Sequence, residues 1–178
     1  TYVEKQGWIN TVTDGRPSGT EGESKKLEGI SIRLSSGIDG TVQYRTYTEN
    51  AGWEAWSENG EINGKPDGTR RLEAIQIRLT GEAAEKYDIY YRVHCQDEGW
   101  LGWAKNGEKA GSEGYSRRME AIEIRLVAKG QSLSGGEKTS FAVNPNSKLI
   151  YYRTYVEKQG WINTVTDGRP SGTEGESK

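Results

Sequence analysis

Three stretches of the chain align without a gap over 28 residues: Gly7 to Leu34, Gly52 to Leu79 and Gly99 to Leu126. They read GWINTVTDGRPSGTEGESKKLEGISIRL, GWEAWSENGEINGKPDGTRRLEAIQIRL and GWLGWAKNGEKAGSEGYSRRMEAIEIRL. The second and third share 15 of 28 positions and the first and second share 10, with the divergence gathered in the glycine-rich middle. One structural unit has been copied three times. A unit of about 50 residues buries too little apolar surface to be stable alone, so the copies have to pack on one another.

A second matched segment precedes each tryptophan: Tyr44-Arg45-Thr46-Tyr47, Tyr91-Arg92-Val93-His94 and Tyr152-Arg153-Thr154-Tyr155. Its aromatic and β-branched residues suit a strand. The segment LEAIQIRL alternates, placing Glu73, Ile75, Ile77 and Leu79 on one face and Leu72, Ala74, Gln76 and Arg78 on the other. An apolar period of two predicts a strand with one face in the core. The same reading holds for Glu28 to Leu34 and for Glu120 to Leu126. The first Trp of each block is present in all copies, whereas Thr11 or Val12 stands in place of the second, so the first is expected to be the buried one.

The expected fold is all-β, with three tandem repeats in a pseudo-threefold, β-prism-like arrangement; a β-trefoil and an open repeat array are the alternatives. Residues 1–153 form the three-repeat domain, with repeats of about 1–45, 46–92 and 93–153, and the longest linker, Val127 to Ile150, carries an insertion. Residues 154–178 are a partial fourth repeat, identical to residues 1–25 at all 25 positions. Three repeats that close a ring need one copy of this segment, and the chain holds two. The surplus would expose Tyr155, Val156, Trp161, Ile162 and Val165, an apolar strand open to pairing with a second chain.

Several function classes fall away. The 24 basic and 26 acidic side chains give a net charge of −2, and they alternate rather than cluster, which argues against a nucleic-acid partner. No apolar run approaches the roughly 18 residues of a membrane helix. The opening residues TYVEKQGW lack the basic start and apolar stretch of a leader, so the sequence reads as a mature segment or a fragment. A single cysteine excludes a disulfide framework within the chain. The only histidine, His94, stands where other copies have Tyr47 and Tyr155 and reads as an aromatic substitute. With Cys95 alone beside it, no metal site and no cofactor are expected. No nucleophile is paired with a base, so the chain reads as noncatalytic.

Glu28, Glu73 and Glu120 head the apolar strand face, where a carboxylate needs donors; a repeated structural hydrogen bond is the simplest account, and three equivalent ligand sites the alternative. Trp56 and Trp103, with Asn59 and Asn106 beside them, are the candidate ligand-binding residues, since an indole can stack on a sugar while an amide meets its hydroxyls.

The pattern GW-x-x-W-x-x-NG, a later Gly and then Arg-Leu-Glu-Ala-Ile-x-Ile-x-Leu resembles the ChW, or hydrophobic W, repeat. The match is strongest for Gly52 to Leu79 and Gly99 to Leu126, and the first block departs from it at Thr11 and Gly29. The resemblance implies a β-prism module of secreted or cell-surface proteins of Gram-positive bacteria, without catalytic residues. It also implies a role in adhesion or in binding a carbohydrate or cell-surface protein ligand. A self-assembling structural protein, forming oligomers or filaments through its duplicated half-repeat, is the competing expectation.

Overall fold

The computed structural model describes residues 1–133 and 138–144 and, beyond them, only the backbone of four short strands. Thr1–Asn144 forms one compact unit and Pro145–Lys178 a second. The first repeat holds β1 (Tyr2–Val3), β2 (Gly7–Trp8), β3 (Ser18–Gly19) and β4 (Leu27–Ile30). The second holds β5 (Thr41–Thr48), β6 (Gly52–Trp53), β7 (Ser57–Glu58), β8 (Asn63–Gly64) and β9 (Leu72–Thr80), followed by the single helical turn α1 (Glu82–Lys86). The third holds β10 (Tyr87–Cys95), β11 (Gly99–Trp100), β12 (Ala104–Lys105), β13 (Lys109–Glu113) and β14 (Met119–Ala128), and β15 (Phe141–Val143) follows.

The matched segments pair within each repeat. β5 runs antiparallel to β9 from Thr41↔Thr80 to Thr48↔Leu72, and β10 to β14 from Tyr87↔Ala128 to Cys95↔Met119. The alternation places Val42, Tyr44, Thr46 and Thr48 inward along β5. The register slips between Tyr47 and Thr48 and between His94 and Cys95. Near that irregularity, at the head of β9, Leu72, Glu73, Ala74 and Ile75 are all buried, so the one-face expectation holds only for the later half of the strand. Asn59-Gly60 and Asn106-Gly107 have positive φ at both residues and close hairpins through Glu61 N–H to Glu58 O and Glu108 N–H to Lys105 O, each 3.0 Å. Such type I′ turns match the strand twist, which is why Asn-Gly serves there.

The glycine-rich middle of each repeat crosses to its neighbour. β8 of the second repeat pairs with β4 of the first, β13 of the third with β9 of the second, and β3 of the first with β14 of the third. A second contact follows the same cycle: the amides of Gly60, Gly107 and Gly15 donate to the carbonyls of Ile32, Ile77 and Ile124 at 2.7, 2.7 and 2.8 Å. The three crossing strands carry Gly64, Gly111 and Gly19, all with positive φ. A Cβ at Gly111 would lie 2.4 Å from the Glu73 carbonyl oxygen and 2.6 Å from Ala74 Cα; at Gly19 it would lie 2.2 Å from the Glu120 oxygen and 2.6 Å from Ala121 Cα. Only glycine lets these backbones approach so closely.

One apolar cluster spans the repeats and includes Val3, Leu27, Val42, Tyr44, Leu72, Ile77, Tyr91, Val93, Met119 and Ile122. Tyr44 and Tyr91 are fully buried, and their hydroxyls donate to the carbonyls of Glu61 and Glu108. The first tryptophans are not in this core, contrary to expectation: Trp8 is 46% exposed, and Trp53 and Trp100 are half-buried. The reason is size and register. Tyr44 and Tyr91, earlier on the upstream strands, point inward and fill the centre, while Trp53 and Trp100 pack edge-on against the aromatic residues opposite them on the outer side.

In the second unit, β16 (Tyr151–Tyr152) pairs with β19 (Val165–Thr166) and β17 (Tyr155–Val156) with β18 (Gly160–Trp161). These pairings repeat those of β5 with β7 and β6. The side chains of the candidate assembly residues Tyr155, Val156, Trp161, Ile162 and Val165 lie outside the described residues.

Candidate functional site

The β5–β9 and β10–β14 pairs carry Arg45, Arg78, Arg92 and Arg125 away from the core, within reach of the tryptophans that follow. The Arg45 guanidinium lies 5.2 Å from the Trp53 ring centre and 4.8 Å from that of Trp56, and Arg78 lies 4.1 Å from Trp56. In the third repeat Arg92 lies 4.9 Å from Trp100 and 4.8 Å from Trp103, and Arg125 lies 5.5 Å from Trp103. Each of these two repeats thus builds a row in which cations and indoles alternate, an arrangement favoured by the negative ring face. The rings of Trp56 and Trp103 meet guanidiniums in this row, so they position cations as well as offering their own surface.

The rows differ at one residue. In the third repeat the buried Glu123 accepts from Arg92 Nε and Nη2 at 2.8 and 2.6 Å and from Arg125 Nε and Nη2 at 2.9 and 2.6 Å. In the second repeat Gln76 occupies that place: its Oε1 accepts from Arg45 Nε at 2.9 Å, its Nε2 donates to the Gly107 carbonyl at 2.7 Å, and Arg78 Nε donates instead to Gln43 Oε1 at 2.9 Å. One row is built around a carboxylate and the other around an amide.

Asn59 and Asn106 have a structural task. Their side-chain carbonyls accept from Val42 N–H at 3.1 Å and Ile89 N–H at 2.9 Å, clasping the heads of β5 and β10, and Asn106 Nδ2 donates to Asp88 Oδ1 at 2.8 Å. Asp88 also holds Lys105 at 2.8 Å and Lys129, and these three bonds keep its carboxyl far below the usual carboxylate range.

The three repeated glutamates are buried and each meets a cation two residues before it: Glu28 with Lys26 at 3.2 Å, Glu73 with Arg71 at 2.8 Å and Glu120 with Arg118 at 2.8 Å. Burial nonetheless pushes the Glu73 carboxyl up, against the lowering effect of Arg71. This is the repeated structural bond expected from the sequence. His94 stacks edge-on against Trp100 at 5.5 Å, as Tyr2 does against Trp8 and Tyr47 against Trp53 at 5.6 Å, so it fills the aromatic place. Its Nδ1 also lies 3.0 Å from Glu120. Burial pushes the Cys95 thiol up to about 12. Among the described residues no cluster of His, Cys, Asp and Glu could hold a metal ion, and no helix is long and apolar enough to cross a membrane.

Two groups of residues escaped the sequence reading. The four arginines recur in matched positions, a signal that was present, yet an alternating cation on a strand reads first as a solvated face. Asn63 gave no repeat signal because Ser18 and Ala110 stand in its place. It is buried, accepts from Thr46 N–H and Oγ1 at 2.8 and 2.7 Å, and donates to Ala55 O and Ser57 Oγ at 2.9 and 3.0 Å.

Repeated sheets joined by exchanged strands, with aromatic and cationic rows outside the core, define the class: a mostly β tandem-repeat protein. The chain belongs to the ChW family, Clostridial hydrophobic W, which matches residues 2–36, 47–81, 94–128 and 155–178. ChW repeats are found in bacterial, often surface, proteins. No curated protein and no solved structure matches the chain.

Proposed function

We propose that the chain is a noncatalytic extracellular binding module of a bacterial surface or secreted protein, recognising carbohydrate. The observation that carries this reading is the twofold occurrence of the Arg–Trp row on Trp56 and Trp103. Guanidinium N–H groups and indole edges at the surface suit a ligand rich in oxygen acceptors. In this reading the three sheets are the faces of a prism, a geometry supported by the cyclic order in which the middle strands cross. The test is retention of the full chain on immobilised cell-wall and capsular saccharides, with Trp56→Ala and Trp103→Ala beside it and circular dichroism as the folding check. Retention lost in the folded double variant is expected. No retention on any saccharide, or retention unchanged in the variant, would refute the reading.

A second reading, self-assembly into oligomers or filaments, has its own support. β4 pairs with the upstream strand only over Leu27–Gly29, whereas β9 and β14 are paired along their whole length, so the edge at residues 31–34 has no strand partner among the described residues. Mass measured against concentration, for the full chain beside residues 1–153, separates the two readings: growth of the full chain alone favours assembly.

A further inference from the structure

Where the second and third repeats meet, a depression of about 230 Å³ is lined by Arg78, Leu79, Ala84, Tyr87, Asn106 and Lys129. Two of its cations come from different repeats, Arg78 from β9 and Lys129 from the end of β14. Lys129 shares Asp88 with Lys105, while Arg78 has no acidic partner among the described residues. Nor do the terminal nitrogens of Arg78 make a hydrogen bond there; only its Nε is engaged, by Gln43. The ring of Trp56, 4.1 Å away, and the Gln43 carbonyl hold this guanidinium in place, so little freedom is left to lose when an acceptor arrives.

The internal repeat supplies a control. Arg125 is the counterpart of Arg78, and Glu123 neutralises it with two bonds. At the preceding junction Glu58 and Glu82 stand where this one has Lys105 and Lys129, so the pair of cations on the third repeat is not matched there.

Resting on the carbohydrate reading above, we infer that the Arg78–Lys129 depression is an oxyanion site that takes a carboxylate- or phosphate-bearing sugar unit. Arg78 supplies the guanidinium fork suited to such an anion, Lys129 from the other repeat adds a second cation, and Tyr87 completes the lining.

The test is calorimetric titration and amide-resolved NMR of the full chain with three probes: trigalacturonate, a neutral galactose trimer and inorganic phosphate. Trigalacturonate is expected to bind at least about tenfold tighter than the neutral trimer at low salt, with the gap closing as salt screens the charges. Arg78→Gln is expected to abolish that gap, while Arg33→Gln, at the matched place in the first repeat, leaves it. Phosphate is expected to shift the signals around Arg78 and Lys129, which reports the anion whatever carries it. Equal binding of the acidic and neutral trimers, or a gap that survives Arg78→Gln, would overturn the inference while leaving the carbohydrate reading intact. Phosphate shifts without binding of either trimer would keep the site and overturn the carbohydrate reading. No shift with phosphate overturns the site.

Discussion

Adding one methyl group at Gly111 is expected to part β13 from β9. The residue has φ of +116°, and its Cβ would meet the Glu73 carbonyl oxygen at 2.4 Å and Ala74 Cα at 2.6 Å. Positive φ alone costs an alanine about 1–2 kcal/mol. Overpacking adds about 1–3 kcal/mol, and the upper end applies because both obstacles are backbone atoms that move only if the strand does. The sum, about 2–5 kcal/mol, is a large part of the stability of a domain this size, about 5–15 kcal/mol.

Gly37→Ala isolates the first contribution, since Gly37 has φ of +97° and nothing within 4 Å of where the methyl would sit. Thermal melts of the two variants decide the matter. At about 2–4 °C per kcal/mol, Gly111→Ala is expected to melt about 4–20 °C below the parent, and Gly37→Ala only a few degrees below. Coincident melting of the two variants would refute the claim that close strand approach, rather than backbone conformation, demands glycine at the crossing.

Gly29 is the reverse case: its φ is not positive, a Cβ would meet only ordinary contacts at 3.5 Å or more, and Ala74 and Ala121 stand at the matched places. Gly29→Ala is therefore expected to stabilise by about 0.4–1 kcal/mol in urea titration. Cys95 is buried with its thiol pushed up to about 12, so it is expected to resist iodoacetamide at pH 8 in the native chain and to react once urea unfolds it. Burial also raises Tyr44 and Tyr91. These three groups stay protonated in the fold while the unfolded chain ionises, so stability is full below about pH 9, the ordinary thiol value, and falls as pH rises beyond it. Urea midpoints from pH 7 to 11 check this, and Cys95→Ser with Tyr91→Phe is expected to flatten the decline. Glu123→Gln removes the shared acceptor of Arg92 and Arg125; because both arginines are partly exposed, the expected loss is about 1–2 kcal/mol, read from the same midpoints.

What was legible in the sequence is what repeats. The alternation in LEAIQIRL and the Tyr-Arg segment marked β9 and β5, because each is a local preference written more than once, whereas Asn-Gly was read as a ligand partner and serves as the hairpin turn. The crossing strands were not legible. β3, β8 and β13 lie in the most divergent part of the blocks, where backbone approach fixes only the glycine and leaves Ser18, Asn63 and Ala110 free to differ. The tryptophans were misjudged for a related reason: recurrence marks a position under constraint without saying whether core or surface imposes it. The Arg–Trp rows needed the register, which brings Arg45 beside Gln76 and Arg92 beside Glu123.

The contact that joins the first repeat to the third also sets a kinetic problem. Ser18 pairs with Ile122, 104 positions later (122 − 18). Among the inter-repeat pairings it spans the longest stretch of chain, and its entropy must be lost before its bonds form. The identical segment carries the same serine at Ser171, only 49 positions from Ile122 (171 − 122). Loop-closure entropy favours the nearer by about 0.7 kcal/mol. In the self-assembly reading proposed above, two equal copies compete for one place, and the copy that loses is the one offered to another chain.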